Sequence, residues 1–475
     1  MESNVSSLLE IAPLSEIQTL ICHFAEFNHL YYPVVDLPEM MAFLRNLRHH
    51  DSIPVGSAAL IAAMCYQAAS SLSCSSEQDP RSGPWSIQSS AWKALSHQLL
   101  FASRYPLRPN LNTVRAAILL AVSSIAEWAP DPDPTPIAVL VRAGQALGLH
   151  RDPEWFQCSA READFRRRIW WSIHGIDLTY SMAHGVPPLI HSRGYDVKTQ
   201  TGHDHDHDGD CKSLSGSEFE ALEARKPGNT IDLHLMWSRI VETIYSTQKP
   251  TKEIFEKLEA EMTECCAAIL DKSDSRRPLR EPSPRDEFIA ACERMCCHRS
   301  VLILHQPYLR SRLWPQTSRA KTLEACKGYI REYTATLTKP TLSAYRWILR
   351  HYSVFHMCAI ILQDLFQTPH SNESAELLEL IERTFAQFST YPDTDPKWKK
   401  LEALRVKAWV ANGWVPAAEN KKPDNVDAGG GGLDLALGLD LGLDSNASLL
   451  EPEWEWDWDP LLASFVWDDS SKQAA

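Results

Sequence analysis

Chemistry in this chain could arise at three places. His203-Asp204-His205-Asp206-His207-Asp208 alternates imidazoles with carboxylates, both of which are ligands for zinc or nickel, and a His-rich tract can collect an ion. Adjacent alternation supplies no rigid geometry and no outer residues to orient the rings, so a solvated loop is the expected state. Serine, cysteine and histidine are plentiful, but none sits in a Gly-x-Ser-x-Gly elbow, a phosphate-cradling glycine loop or a His-Glu-x-x-His helix. The third place is Arg166-Arg167-Arg168, a basic run of the kind that contacts phosphate. Its neighbours are Phe165 on one side and Ile169-Trp170-Trp171 on the other, a setting that favours guanidinium groups stacked on rings or paired with buried carboxylates. No catalytic, cofactor or metal residue follows from these patterns, and the chain is not expected to be an enzyme.

Recognition chemistry is concentrated at the C-terminal end. Leu433, Leu435, Leu437, Leu439, Leu441 and Leu443 alternate with Asp, Ala and Gly, an acidic-hydrophobic low-complexity pattern typical of activation segments. Then follow Trp454, Trp456 and Trp458, each between acidic residues that keep a large aromatic in water until a partner buries it. Asp459 is placed to cap a short helix with Pro460 at its first position, presenting Leu461, Leu462 and Phe465 on one face beside Trp467. Such a face fits a helix-in-groove contact with a coactivator. An inert solubilising tail, or one that docks on its own body, is the plainer reading of the same residues.

The elements that would carry these groups are helices. Apolar residues recur at helical spacing over 14–30, 53–72, 86–104 and 112–128, then over 231–245, 251–270, 285–305, 319–337, 343–366, 374–388 and 398–414. No alternating strands recur, and Pro falls between segments rather than within them. Thr135 reads as an N-cap with Pro136 at the first helical position, and the helix so opened lines up Ile137, Leu140, Val141, Gly144 and Gly148 on one face, where small residues permit close contact. In the helix that holds the arginines, Phe165, Ile169, Ile173 and Ile176 form an apolar stripe. Arg166 and Asp177 lie eleven residues apart on nearly the same face. They are separated by roughly 16 Å along the axis, so each must find its partner on a neighbouring element. Residues 191–228 turn to His, Asp, Ser, Gly and Thr, the composition of an exposed, mobile excursion. Gly429-Gly430-Gly431-Gly432 marks a linker. The expected organisation is an all-α multi-helix domain over 1–415 and a disordered acidic, Trp-rich tail over 416–475.

Charge follows that division. The net charge is -14, and from Asp424 onward twelve acidic residues face Lys472 alone, which puts -11 in the tail and about -3 in everything else. A nearly neutral body lacks the clustered Lys and Arg that a phosphate backbone requires. Met1-Glu2-Ser3-Asn4 has neither a basic nor an apolar start, and no uninterrupted apolar run reaches the length of a membrane span, so a soluble intracellular protein with no membrane partner is expected. The 12 cysteines are scattered and often within helical patterns, as at Cys265-Cys266 and Cys292, Cys296 and Cys297, which suits reduced core thiols.

Three segments resemble one family. Ala143 through Pro153, containing Gly148-Leu149-His150-Arg151-Asp152-Pro153, is followed by Glu162, Arg166 to Trp171, Asp177 and Gly185-Val186-Pro187-Pro188. Upstream stand Leu20-Ile21-Cys22-His23-Phe24 and Tyr31-Tyr32-Pro33-Val34-Val35-Asp36, and downstream Leu302-Ile303-Leu304-His305-Gln306-Pro307-Tyr308-Leu309. Together these are similar to the fungal-specific transcription factor domain, the helical regulatory region that accompanies a binuclear zinc-cluster DNA reader. The resemblance implies a nuclear transcription regulator of a metabolic or secondary-metabolite gene set. A zinc cluster needs six thiolates built on Cys-x-x-Cys pairs, and this sequence contains no Cys-x-x-Cys. The expectation is therefore an activator that reaches DNA through a DNA-bound transcription factor, as a homo- or heterodimer partner, rather than by direct sequence-specific binding. An upstream exon encoding the cluster would restore direct binding. The competing expectation is a metabolite-binding or enzymatic helical protein without a transcriptional role.

Overall fold

The computed structural model describes residues 4–46, 52–75, 84–126, 133–199, 230–248, 250–275, 283–305, 316–349, 352, 354–387 and 396–414. Among these residues there are sixteen α-helices and no strand, as the periodicity predicts. The centre is α4 (Val55–Ser75), whose residues 58–69 are all buried. Its alanines let neighbours approach on every side: α5 (Pro84–Ala102), α6 (Leu111–Ala126) and α2 (Leu14–His23) all pack against it. Each fully buried Leu or Ile contributes roughly 1.5–3 kcal/mol there. α4 is long and apolar enough to cross a membrane by length and composition, but its apolar sides are covered by these helices, as befits a helix hydrophobic all round. Two polar groups that enter this core are satisfied by backbone: Gln67 donates Nε2 to the Leu119 carbonyl at 2.9 Å, and Ser96 donates Oγ to the Ala59 carbonyl at 3.2 Å.

Two short helices precede this centre in places where no periodicity was expected. α1 (Asn4–Ile11) tucks Leu8 against α4 and α5. α3 (Leu37–Asn46) buries Leu37, Met40 and Leu44, and its start is fixed by the Asp36 carboxylate accepting from the Glu39 amide at 3.0 Å. The 14–30 run is α2 followed by a π-helical turn, Phe24–Asn28, closed by the His29 amide donating to the Phe24 carbonyl at 2.8 Å.

Beyond α7 (Thr135–Ala146) and α8 (Ala160–His184) come α9 (Thr230–Ile244), α10 (Lys252–Ser275), α11 (Pro284–His305) and α12 (Gln316–Thr338). The single helix expected over 343–366 is broken into a 3-10 turn (Pro340–Tyr345), α13 (Arg346–Leu349) and α14 (Phe355–Gln367). The break has a physical cause: the Tyr352 carbonyl accepts from the Tyr329 hydroxyl at 2.6 Å instead of serving a helix. α15 (Ser374–Gln387) and α16 (Pro396–Ala411) complete the order. Arg319 on α12 ties to buried Asp364 on α14 through paired bonds of 2.5 and 2.6 Å.

Candidate functional site

The stretch from Gly144 to Pro153 and the helix α8 form one built unit. α7 crosses α8 so closely that a Cβ on Gly144 would lie 2.7 Å from Ile173 Cδ1, the close contact expected of its small residues. Ile137, Leu140 and Val141 are buried beside it. The start of α7 differs from expectation: Thr135 is already helical, and the Asp133 carboxylate accepts its amide at 2.8 Å. Gly148 lies past the helix end rather than on its face, at φ +69°, a left-handed position suited to glycine, with its amide donating to the Gln145 carbonyl at 2.9 Å.

Asp152 is the hub. It is 2% exposed, and its carboxylate accepts from Arg167 Nε at 2.9 Å, Arg167 Nη2 at 2.7 Å, the Lys198 amide at 2.9 Å and the Glu154 amide at 3.1 Å. Burial works against its charge, but the Arg167 guanidinium and the two amides outweigh it and hold the carboxyl at about 2. The Glu154 bond also starts the 3-10 turn Pro153–Phe156. Asp196 completes the knot, accepting from the Asp152 amide at 2.7 Å, Arg151 Nε at 3.0 Å and Trp155 Nε1 at 3.1 Å. Residues 191–199 are therefore not part of an exposed excursion but are bound to the body by these contacts and by Ser192, which donates to Glu242 on α9 at 2.7 and 2.8 Å; the rest of the expected excursion, 200–228, lies outside the described residues.

The other arginines of the run also turn inward. Arg166 donates to the Leu147 carbonyl at the end of α7 at 2.9 Å, and Arg168 lies over the Phe165 ring, 5.4 Å from its centroid, with Asp164 at 3.5 Å. Asp177, three turns further on, accepts the Ile190 amide at 2.8 Å, and burial pushes its carboxyl up. Arg166 and Asp177 thus each tie α8 to a neighbouring segment, as their separation requires. α8 itself is opened by an N-cap, with Ser159 Oγ accepting the Glu162 amide at 3.2 Å, and closed by Gly185 at φ +65°. Arg161 reaches the Asp36 carboxylate at 2.8 and 2.7 Å, joining the upstream similar segment to the middle one.

Behind the knot lies an aromatic cluster that sequence reasoning missed. Tyr195 sits 5.6–5.9 Å, centroid to centroid, from Trp170, Trp171 and His174, and His174 faces His234 at 6.4 Å. Burial lowers His174 to about 3, with His234 adding to the effect, and lowers His234 to about 4, so both rings are neutral at physiological pH. The available signal was spacing: His174 follows Trp170 and Trp171 by one helical turn, on the buried side of α8. Nothing in the sequence pointed to His234 or Tyr195, which arrive from α9 and from the docked loop.

The downstream similar segment ends α11 at His305, a buried ring whose Nδ1 lies 2.7 Å from Ser318 Oγ and whose Nε2 lies 3.2 Å from Glu259. Cys265, Cys266, Cys292, Cys296 and Cys297 are all free thiols. Among the described residues no three metal-ligating side chains converge. The His203–Asp208 tract and the recognition residues Trp454, Trp456, Trp458, Leu461, Leu462, Phe465 and Trp467 lie outside the described residues.

The fungal-specific transcription factor domain profile matches residues 21–276, which takes in the knot, α8 and the aromatic cluster. The chain is 31% identical to the transcriptional regulator AacuB of Aspergillus aculeatus over 354 residues, 68% of this chain and 46% of that protein. It is 23% identical to transcription factor macR of Penicillium terrestre over 368 residues, 68% of this chain and 40% of that one. An uncharacterized transcriptional regulatory protein of Schizosaccharomyces pombe is 22% identical over 316 residues, 65% of this chain and 49% of the other. The chain thus spans less than half the length of these curated relatives.

Proposed function

Because this chain belongs to the fungal-specific transcription factor family and so carries the helical region of a transcription regulator, we propose that it is an activator acting in the nucleus through a DNA-bound partner. The observation that carries the partner-dependent reading is the fate of Arg166, Arg167 and Arg168. Their guanidinium groups are engaged with Leu147, Asp152 and the Phe165 ring, so the basic run of the family signature is unavailable to phosphates. Macromolecular contacts then fall to other surfaces, and the acidic tail with Trp454, Trp456, Trp458, Leu461, Leu462, Phe465 and Trp467 has the composition to engage a coactivator. Secondary-metabolite or other metabolic genes are the target class in this reading.

Two measurements test it. The 475-residue chain, offered a random duplex library at physiological salt, is expected to enrich no sequence. Tight selection of one sequence overturns the partner requirement. Fused whole to an unrelated DNA-binding domain, it is expected to drive a reporter, and Ala at Trp454, Trp456, Trp458 and Phe465 is expected to abolish that output. Unchanged output removes the tail from the mechanism.

A further inference from the structure

We propose that the outer face of α16 is a docking surface for the acidic tryptophan segment 453–467 of the same chain. α16 leans on α14, burying Leu401, Leu404, Ala408 and Trp409, and Arg405 reaches Glu382 on α15. The opposite side carries Lys399, Ala403, Val406 and Val410 at helical spacing, with Trp414 just beyond the helix. Val406 is 42% exposed, Val410 72% and Trp414 38%, an apolar stripe with no covering element among the described residues. Lys399 and Lys400 beside it are exposed and make no ion pair among the described residues.

Three observations choose the occupant. Segment 453–467 pairs Glu453, Glu455, Asp457 and Asp459 with interleaved tryptophans, so its acids match the lysines while its rings match the valines. The tail also starts at the stripe, since Trp414 is the last described residue. As a random coil, the intervening 38 residues (415–452) would reach about 34 Å. The 16-residue helix is about 24 Å long. Tethering at that range gives effective concentrations on the order of millimolar, enough to fill a weak site. The turn after α5, where Phe101 and Leu107 are 84% and 86% exposed beside Arg104 and Arg108, has similar composition but no tie to the tail's origin.

The docking is independent of whether the tail activates transcription, and its test reads contact rather than output. The full-length protein is treated with a zero-length carboxyl-to-amine coupling reagent, as an equal mixture of isotopically light and heavy chains, and the linked peptides are identified by mass spectrometry. The expected products join Lys399 or Lys400 to Glu453, Glu455, Asp457 or Asp459 within chains of one isotope. Val406→Glu with Val410→Glu, both solvent-facing and checked by circular dichroism for retained helicity, is expected to cut their yield roughly tenfold. Absence of these links, their persistence in the double variant, mixed-isotope links indicating a second copy, or tail links to Lys93 on α5 instead would each overturn the proposal.

Discussion

Removing the Asp152 carboxylate tests the physical account of the signature most directly. Its pKa falls from 3.8 to about 2 on folding, because Arg167 and the Lys198 and Glu154 amides favour the charged form more than burial opposes it. That difference is worth roughly 2–3 kcal/mol of stability at neutral pH. Truncation costs somewhat more, about 3–5 kcal/mol, since Asp152→Ala also leaves Arg167 with only the weaker Glu154 contact at 3.4 Å and two amides unpaired. The sign of the pH dependence is fixed by the depressed folded value. The contribution is complete above the unfolded pKa of 3.8 and is lost as the pH falls through about 2.

The assay is urea unfolding of wild type and Asp152→Asn at a series of pH values from neutral to strongly acid, taking the difference between the two so that every other titrating group cancels. Wild type should exceed the variant by at least about 2 kcal/mol at neutral pH, and the gap should narrow between pH 4 and 2. Limited proteolysis should cut the variant within 190–199, because the Asp152 carboxylate holds the Lys198 amide. A neutral-pH gap below about 0.5 kcal/mol, the scatter of ordinary surface substitutions, or a gap indifferent to pH, would refute the claim that this ion pair organises the loop.

Two further predictions rest on close packing and on buried histidine. Gly144→Ala should cost about 1–3 kcal/mol in urea unfolding by driving a methyl into Ile173 Cδ1, and Ile173→Val, which deletes that atom, should recover part of the loss; strict additivity would show that the contact is not the cause. His174 and His234, held neutral down to about 3 and about 4 against an ordinary value of 6.5, should make the protein steadily less stable as pH falls from about 6.5 to 4, and His234→Gln should flatten that slope, whereas an unchanged slope would assign it to other groups.

How far the sequence foretold this arrangement depended on whether the controlling interaction was local. Period and cap signals lie within a turn or two of each residue, so the long helices and the inward face of α7 were legible. Asp36-Leu37-Pro38-Glu39 is a helix start of the same local kind, and α3 could have been found from it. The break between α13 and α14 could not, because it turns on the Tyr352 carbonyl meeting a hydroxyl 23 residues away. The inward role of the arginines followed from their neighbours, but their specific partners did not. Asp196 lies 44 residues from the Asp152 amide it accepts, inside a stretch whose composition reads as solvated loop. A few charged residues with matched partners are enough to dock such a segment, and hydropathy alone does not register them.

The same partnering explains where the remaining charge is free to act. In the matched region the cations of the signature are already matched: Arg161 to Asp36, Arg167 to Asp152 and Arg151 to Asp196. The Arg167–Asp152 pair is largely buried and secures the fold, while Arg151 and Arg161 hold their carboxylates at the surface. The tail has the opposite character, with -11 carried on one segment and three tryptophans among the acids from 453 to 459. Exposed lysines on α16 beside bare valines are described groups of complementary kind. If they hold the tail, a coactivator must compete with an intramolecular site at effective millimolar concentration, and output would be set by that competition rather than by the tail's intrinsic affinity alone. The Val406→Glu, Val410→Glu chain would then bind a coactivator more tightly than wild type while its fold stayed unchanged. That combination distinguishes release of a masked segment from any effect of α16 on stability.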